Sequence, residues 1–126
     1  MGAGTELGRV RGLGAAKDGV HHWWLQRVTA IGNIVLVLWF VFSLVALPSL
    51  DHASVVLWLR QPVAAVPMLL LIGSVFWHLR LGMQVLIEDY VKGPSRVIAM
   101  LALNFYVVAG AAVAVFAVLK LALGGA

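Results

Sequence analysis

Three long apolar stretches dominate the chain, and few polar residues separate them. They run through residues 28–47, 63–90 and 97–121; the first carries no charge and the third only Lys120 near its end. About 20 apolar residues in a helix cover the roughly 30 Å hydrocarbon layer of a bilayer, because a helix rises about 1.5 Å per residue. The pattern predicts an all-α membrane protein with three transmembrane helices.

Proline and glycine mark where the predicted helices end. Pro48 closes the first helix, which is expected to begin near Gln26, and Gly93-Pro94 separates the second helix from the third. The second helix is expected to begin at Pro62 or Pro67, because proline is tolerated in a first helical turn. The third is expected over residues 96–121.

The remaining segments complete the predicted organisation. Residues 1–20 are polar and glycine-rich, which favours an extended or disordered lead-in, whereas residues 21–123 are expected to form one three-helix transmembrane domain. The loop 49–61 contains an apolar group around Trp58, and a short helix on the membrane surface fits it.

Composition narrows the chemistry. The chain has 126 residues, of which 63% are hydrophobic and 11% charged, and it has no cysteine. Disulfides, cysteine-held iron–sulfur clusters and thiolate zinc sites are therefore excluded within this chain, while haem ligation by histidine stays open. The net charge of +4 is scattered along the flanks of the spans, so nucleic acid is not an expected partner.

Basic residues predict the orientation, because they concentrate on the cytoplasmic side of membrane proteins. Six flank one side of the predicted bundle and two flank the other: Arg9, Arg11, Lys17, Arg27, Lys92 and Arg96 against Arg60 and Lys120. The chain is thus expected to be a multi-pass protein of a bacterial inner (plasma) membrane with its N-terminus cytoplasmic. A mitochondrial inner membrane, with the N-terminus in the matrix, is the alternative.

His78 lies inside the second apolar stretch, where an ionisable group is costly and marks a candidate site. Gly82, Val85 and Asp89 fall on the same helical face, and Gly82 leaves room for a flat macrocycle. Because the chain offers a single deep imidazole, a haem here would need its second axial ligand from a partner chain. The alternative, at about even weight, is a histidine that hydrogen-bonds across a helix pair without a metal.

Asp89 and Tyr90 close the second span at the membrane interface. Reduction of a quinone takes up two protons, and a phenol beside a carboxylate suits that chemistry. An aromatic residue of the interfacial belt and a solvated helix end are nevertheless the commoner roles for these residue types, by about two to one.

Other polar residues allow several interpretations. Arg27 can contact a haem propionate, the Asp89 carboxylate or the phosphate of a phospholipid. His21 can likewise contact a haem propionate or a phospholipid phosphate. Arg80 is expected to snorkel to the surface or to pair with a partner chain. Asn33 and Asn104 are expected to form hydrogen bonds between helices.

Two motifs resemble one known family. The run from His78 to Tyr90, HLRLGMQVLIEDY, resembles the His, three residues, Gly, six residues, Asp-Tyr pattern of the hydrophobic membrane anchor subunits of succinate dehydrogenase, in particular the smaller, D-type cytochrome b anchor chain. Residues 19–30, GVHHWWLQRVTA, are similar to that family's first-helix start with its Arg-x-Thr-Ala. The resemblance covers most of the chain, because the length, the three spans and the orientation agree with the family as well as the two motifs.

The resemblance implies an anchor subunit of succinate:ubiquinone oxidoreductase, respiratory complex II. A flavoprotein subunit would oxidise succinate, and an iron–sulfur subunit would carry the electrons to the membrane. A second cytochrome b anchor subunit would share the helix bundle, a haem b and the ubiquinone pocket with this chain.

The resemblance also assigns roles to residues. It implies His78 as one axial ligand of the haem iron, Tyr90 as a hydrogen-bond donor to ubiquinone and Asp89 as its neighbour. Arg27 would lie near the haem propionates or the pocket mouth, and no catalytic residue is expected in the isolated chain. Two alternatives remain, a non-catalytic three-helix tether for a peripheral complex and the anchor of a fumarate reductase.

Overall fold

A computed structural model describes residues 6–7 and 18–124, and within the second range the chain forms four helices. These are α1 (Asp18–Ala46), α2 (His52–Leu59), α3 (Pro62–Tyr90) and α4 (Pro94–Ala122). Helices α1, α3 and α4 are each 29 residues long, about 43 Å at helical rise, and each is apolar enough to cross a membrane. The predicted all-α class with three spans is confirmed.

The first helix begins earlier than the sequence suggested. Helix α1 starts at Asp18, eight residues before Gln26, and therefore includes the histidine and tryptophan pairs that precede the apolar stretch. The hydrophobic pattern marks where a span enters the apolar layer, whereas the helix itself continues until a breaker stops it. Helix α4 likewise starts at Pro94 rather than Arg96, and α3 starts at Pro62 with Pro67 inside it. Most of the predicted lead-in lies outside the described residues.

Helix α3 lies between α1 and α4 and packs against both. Glycine allows a close approach on each side. A Cβ atom on Gly32 of α1 would lie 3.3 Å from Ser74 Oγ, and one on Gly110 of α4 would lie 2.7 Å from Phe76 Cε1. Small residues at such contacts are typical of helices packed in membranes.

Helix α2 confirms the predicted short helix between the first two spans. Asp51 caps it, accepting hydrogen bonds from Ser49 Oγ at 2.6 Å and from the Ser54 backbone N–H at 3.1 Å. These bonds, with Ser49 contributing most, lower the pKa of the Asp51 carboxyl from 3.8 to about 2. Trp58 docks the helix against α1 by stacking on Trp39, with ring centroids 5.8 Å apart.

Little of the apolar surface is buried within the chain. The largest buried cluster joins Ile87 of α3 to Leu103 and Val107 of α4. On α1, by contrast, Ile31, Ile34 and Phe42 are all more than 60% exposed. Outward apolar side chains are expected where lipid or another membrane helix is the neighbour. The sharing of the bundle with a second subunit stays a prediction.

Candidate functional site

A stripe of polar residues runs along the otherwise apolar α1 and faces α3. Its members are half-buried and follow the spacing i, i+4, i+7, i+11, which places them on one helical face. They meet a matching stripe of small and polar residues on α3. We call this interface the polar seam, which comprises His22, Gln26, Thr29 and Asn33 of α1 with Ser74, His78 and Gly82 of α3.

His78 is held from the opposite helix. Its Nδ1 lies 3.0 Å from Thr29 Oγ1, and its ring is half-buried. Ser74, one turn away on α3, donates a hydrogen bond of 3.3 Å to the Thr29 backbone carbonyl, so two contacts join the helices at this level. The hydrogen bond across a helix pair that the sequence offered as an alternative is therefore present at Nδ1. Nε2 makes no hydrogen bond with any residue that the structure describes, so this nitrogen is free to ligate.

Three atoms of the polar seam are buried without a hydrogen-bond partner among the described residues: His22 Nε2, Gln26 Oε1 and Asn33 Oδ1. An unsatisfied buried polar group costs about 1–3 kcal/mol, so these three atoms make this face of α1 the least satisfied part of the polar seam. Asn33 was expected to form a hydrogen bond between helices, but its Oδ1 accepts none from the described residues.

The seam opens into a cleft where α1 begins and α3 ends. The cleft has a volume of about 410 Å³ and is lined by Gly19, His22, Gln84, Val85 and Glu88. Further along the seam, Gln26 lies beside Gly82, since a Cβ atom on Gly82 would sit 3.6 Å from Gln26 Nε2. The space that Gly82 leaves is therefore bordered by an amide of α1.

The residues fit a haem by the chemistry of their donors. Among the described residues, no group of three or more His, Cys, Asp or Glu side chains lies together as a metal site. A haem iron, however, is held by its porphyrin and needs only one axial side chain from each side. His78, fixed at one nitrogen and unpaired at the other, can supply one of these ligands.

Asp89 and Tyr90 lie apart from His78. They are the last two residues of α3, about 16–18 Å along the helix axis from His78 at helical rise. Tyr90 is 80% exposed, and neither residue makes a hydrogen bond or ion pair with another part of the described chain. The structure thus separates the two sequence-predicted sites along one helix, with the phenol at the end where α1 begins.

Arg27 and His21 are both exposed near the start of α1. The guanidinium carbon of Arg27 lies 5.5 Å from the centroid of the Trp23 ring, a cation–π distance. Within the described residues Arg27 does not pair with Asp89. Contact of either residue with a haem propionate stays a prediction.

Arg80 finds its partners inside the chain rather than at the surface. Its Nε donates to Asn104 Oδ1 of α4 at 2.8 Å, which confirms the interhelical role expected for Asn104, and its Nη1 donates to Gln84 Oε1 at 3.5 Å. Gln84 Nε2 in turn donates to Glu88 Oε1 at 2.9 Å. This series of hydrogen bonds runs from the middle of α3 to its polar end.

No role in these networks was predicted from the sequence for four residues, Thr29, Ser74, Gln84 and Glu88. Gln84 and Glu88 follow Arg80 at intervals of four, a spacing that places them on one face and was visible in the sequence. Thr29 appeared only as a letter of the Arg-x-Thr-Ala motif. The periodicity of His22, Gln26, Thr29 and Asn33 in an apolar helix was the signal that would have singled it out.

The fold and the polar seam together define a class: an α-helical membrane protein with three spans and an imidazole, that of His78, hydrogen-bonded between two of them. The family model described as succinate dehydrogenase/fumarate reductase transmembrane subunit matches residues 1–119. The chain belongs to this family, and the resemblance seen in its two motifs is confirmed.

Individual relatives agree with the family. The chain is 37% identical over 89 residues to the succinate dehydrogenase hydrophobic membrane anchor subunit of Rickettsia bellii, covering 70% of each chain. It is 34% identical over 88 residues to the succinate dehydrogenase membrane anchor subunit of Reclinomonas americana, covering 67% of this chain and 73% of the relative. With the hydrophobic membrane anchor subunit of Paracoccus denitrificans it shares 28% identity over 115 residues, covering 90% and 88%.

Proposed function

We propose that this chain is a membrane anchor subunit of succinate:ubiquinone oxidoreductase that shares a haem b with a second anchor chain and helps to form the ubiquinone-reduction site. One observation carries the proposal: an imidazole at the depth of an apolar span, tied at Nδ1 to Thr29 and unpaired at Nε2 among the described residues. The family match and the names of the relatives support the enzyme complex to which it is assigned.

Within this proposal, several residues of the polar seam and of the exposed start of α1 have a role toward the haem. His78 would hold the haem iron from this chain, and a histidine of the second anchor chain would supply the other ligand. Arg27 and His21, on the exposed start of α1, neutralise the propionates. A bound haem would supply a one-electron carrier within the membrane. The unpaired atoms of His22, Gln26 and Asn33 lie on the same face of α1 as Thr29.

Tyr90 is the residue proposed to act on the quinone. Its phenol donates a hydrogen bond to a quinone carbonyl oxygen and so favours the build-up of negative charge there during reduction. Asp89 beside it accepts or relays protons at the polar end of α3. Both side chains are exposed, which suits a pocket whose other walls come from the second anchor chain and the iron–sulfur subunit.

A tyrosine pair provides a matched test, because the chain has two tyrosines and both are exposed. Tyr90→Phe should slow succinate-driven ubiquinone reduction by several-fold to about tenfold, since one hydrogen bond is lost in the transition state. Succinate oxidation with an artificial acceptor at the flavoprotein should stay near wild type. Tyr106→Phe, in the middle of α4, should change neither rate. Equal loss of both activities in Tyr90→Phe would contradict the quinone role.

The membrane and the soluble subunits are the remaining partners. Arg27, Lys92 and Arg96 lie at the end of the bundle shared with Tyr90, so we propose that this end faces the cytoplasm and docks the iron–sulfur subunit, which in turn carries the flavoprotein. The chain has no cysteine, so single substitutions report orientation cleanly. Ser95→Cys should react with an impermeant thiol reagent only from the cytoplasmic side, and Leu50→Cys only from the opposite side. The reverse pattern would overturn the proposed orientation.

Gentle purification tests the assembly itself. The tagged chain, extracted in mild detergent from its own membranes, should bring with it a second small membrane subunit, an iron–sulfur subunit and a flavoprotein, with haem b in the preparation. A colourless preparation of the chain with a peripheral partner would favour a non-catalytic tether instead.

The direction of catalysis needs a separate assay of the purified complex. Succinate oxidation faster than fumarate reduction with the same quinone would support the direction that the relatives' names give, and the reverse would identify a fumarate reductase anchor.

A further inference from the structure

We infer that Thr29 is a positioning residue that fixes the ring tautomer of His78, so that Nε2 carries the lone pair that ligates the iron. The inference rests on the proposed function, because it concerns the nitrogen used for ligation. It deepens that function by assigning a role to a hydroxyl on α1, a helix other than the one that carries the ligand.

The position of the Thr29 hydroxyl proton follows from one short distance. Thr29 Oγ1 lies 2.7 Å from the backbone carbonyl oxygen of Leu25, and 3.2 Å from that of Gln26. A carbonyl oxygen carries no proton, so two oxygens at 2.7 Å form a hydrogen bond only if the hydroxyl proton lies between them. A threonine hydroxyl has one proton, and this contact uses it.

The direction of the bond to His78 then has one solution. Thr29 Oγ1 has no second proton to donate, so it accepts across the 3.0 Å contact, and Nδ1 of His78 is the donor. A neutral imidazole carries a single N–H, and with that proton on Nδ1 the lone pair is on Nε2. The reverse direction would leave the oxygens of Thr29 and Leu25 facing each other without a proton, which is repulsive.

The acceptor is also rigidly placed. Threonine is branched at Cβ and its bond to Leu25 spans one helical turn, so its χ1 angle is restrained. Gly32 lets α1 and α3 come close beside it. A fixed acceptor at the remote nitrogen orients a ligating imidazole and raises its basicity, which favours the ferric state.

Three variants of the assembled complex test the inference. Thr29→Val keeps the shape and removes the acceptor, Thr29→Ser keeps the hydroxyl, and Ser74→Ala removes the neighbouring interhelical bond without touching the imidazole. The readouts are haem content per complex, the reduced-minus-oxidised spectrum and the haem midpoint potential. We expect a higher potential and reduced haem retention in Thr29→Val, values near wild type in Thr29→Ser, and an unchanged potential in Ser74→Ala.

Two results would overturn the inference. A wild-type potential and haem content in Thr29→Val would show that the hydroxyl does not act on the ligand. An equal shift in Ser74→Ala would attribute the effect to helix spacing rather than to the tautomer. If Thr29→Val does not assemble, Thr29→Ala removes the same acceptor without placing a methyl group against the imidazole, and the same shift in potential is then the test.

Failure of the proposed function is visible separately. A wild-type complex without haem would refute the function before any variant is compared. A haem signal that depends on His78 but is indifferent to Thr29 would refute only the present inference.

Discussion

Gly110 is the position where one methyl group should cost most at a helix contact. An ideal Cβ on Gly110 lies 2.7 Å from Phe76 Cε1 and 3.1 Å from Cζ. Non-bonded carbons prefer about 3.5–4.0 Å, so in Gly110→Ala the ring or α4 must retreat by roughly 0.8 Å or more. Phe76 also packs against the cluster of Ile87, Leu103 and Val107, which limits that movement. Overpacking of this kind costs about 1–3 kcal/mol.

A second glycine serves as a control, because it separates the cost of the steric clash from the gain in helix propensity. Replacing glycine by alanine inside a helix is favourable by roughly 0.5–1 kcal/mol where space allows, and this gain opposes the clash in Gly110→Ala. Gly73 of α3 has no atom within 4 Å of its ideal Cβ, so Gly73→Ala should show the gain alone. The difference between the two variants, about 1–3 kcal/mol, is the clash itself.

The assay is a denaturing-detergent titration of the purified chain in mild micelles, followed by far-UV circular dichroism. Gly110→Ala should unfold at lower denaturant than Gly73→Ala. In a Phe76→Leu background, Gly110→Ala should cost little relative to Phe76→Leu alone, and this is the recovery expected, because the ring atoms that clash are gone. Equal stabilities of the two alanine variants, or no recovery in the double variant, would refute the close packing of α4 on α3.

Three further predictions concern the ends and the polar network of the bundle. Asn104→Leu removes the acceptor for Arg80 Nε and should destabilise the chain by about 1–3 kcal/mol in the same titration, and unchanged stability would contradict the bond. Trp58→Ala removes the stack on Trp39 and should increase protease cleavage at α2, whereas unaltered cleavage would mean that other contacts hold that helix. The Asp51 carboxyl has a pKa of about 2, below its ordinary 3.8, so its stabilisation of α2 is complete above about pH 4 and is lost as pH falls towards 2. Asp51→Asn should remove that acid dependence of α2 protease resistance, and an identical profile would contradict it.

The sequence predicted the spans well because hydrophobic length is a property of each helix by itself. Pro62, Gly93 and Pro94 act locally, and the ends of α3 and the break before α4 follow from them. The start of α1 was missed because residues 18–25 are helical without being uniformly apolar. No single-segment pattern distinguishes a helix that stops at the membrane surface from one that continues beyond it.

His78 could be singled out from the sequence, but its contacts could not. His78 stood out because an imidazole in an apolar stretch is costly, and this needs no knowledge of its neighbours. The pairing of His78 with Thr29 joins residues 49 positions apart, and that of Arg80 with Asn104 joins residues 24 apart. Such pairs depend on the rotation and offset of two packed helices, which hydropathy leaves undetermined.

Haem ligation by His78 is tested most directly by the reduced-minus-oxidised spectrum of the purified complex carrying His78→Ala, compared with those of wild type and His52→Ala. His52 is exposed at the start of α2 and serves as the matched histidine control. We expect the low-spin haem b bands to be lost or shifted in His78→Ala and unchanged in His52→Ala. Low-spin bands in His78→Ala identical to those of wild type would contradict the claim that this chain supplies an axial ligand.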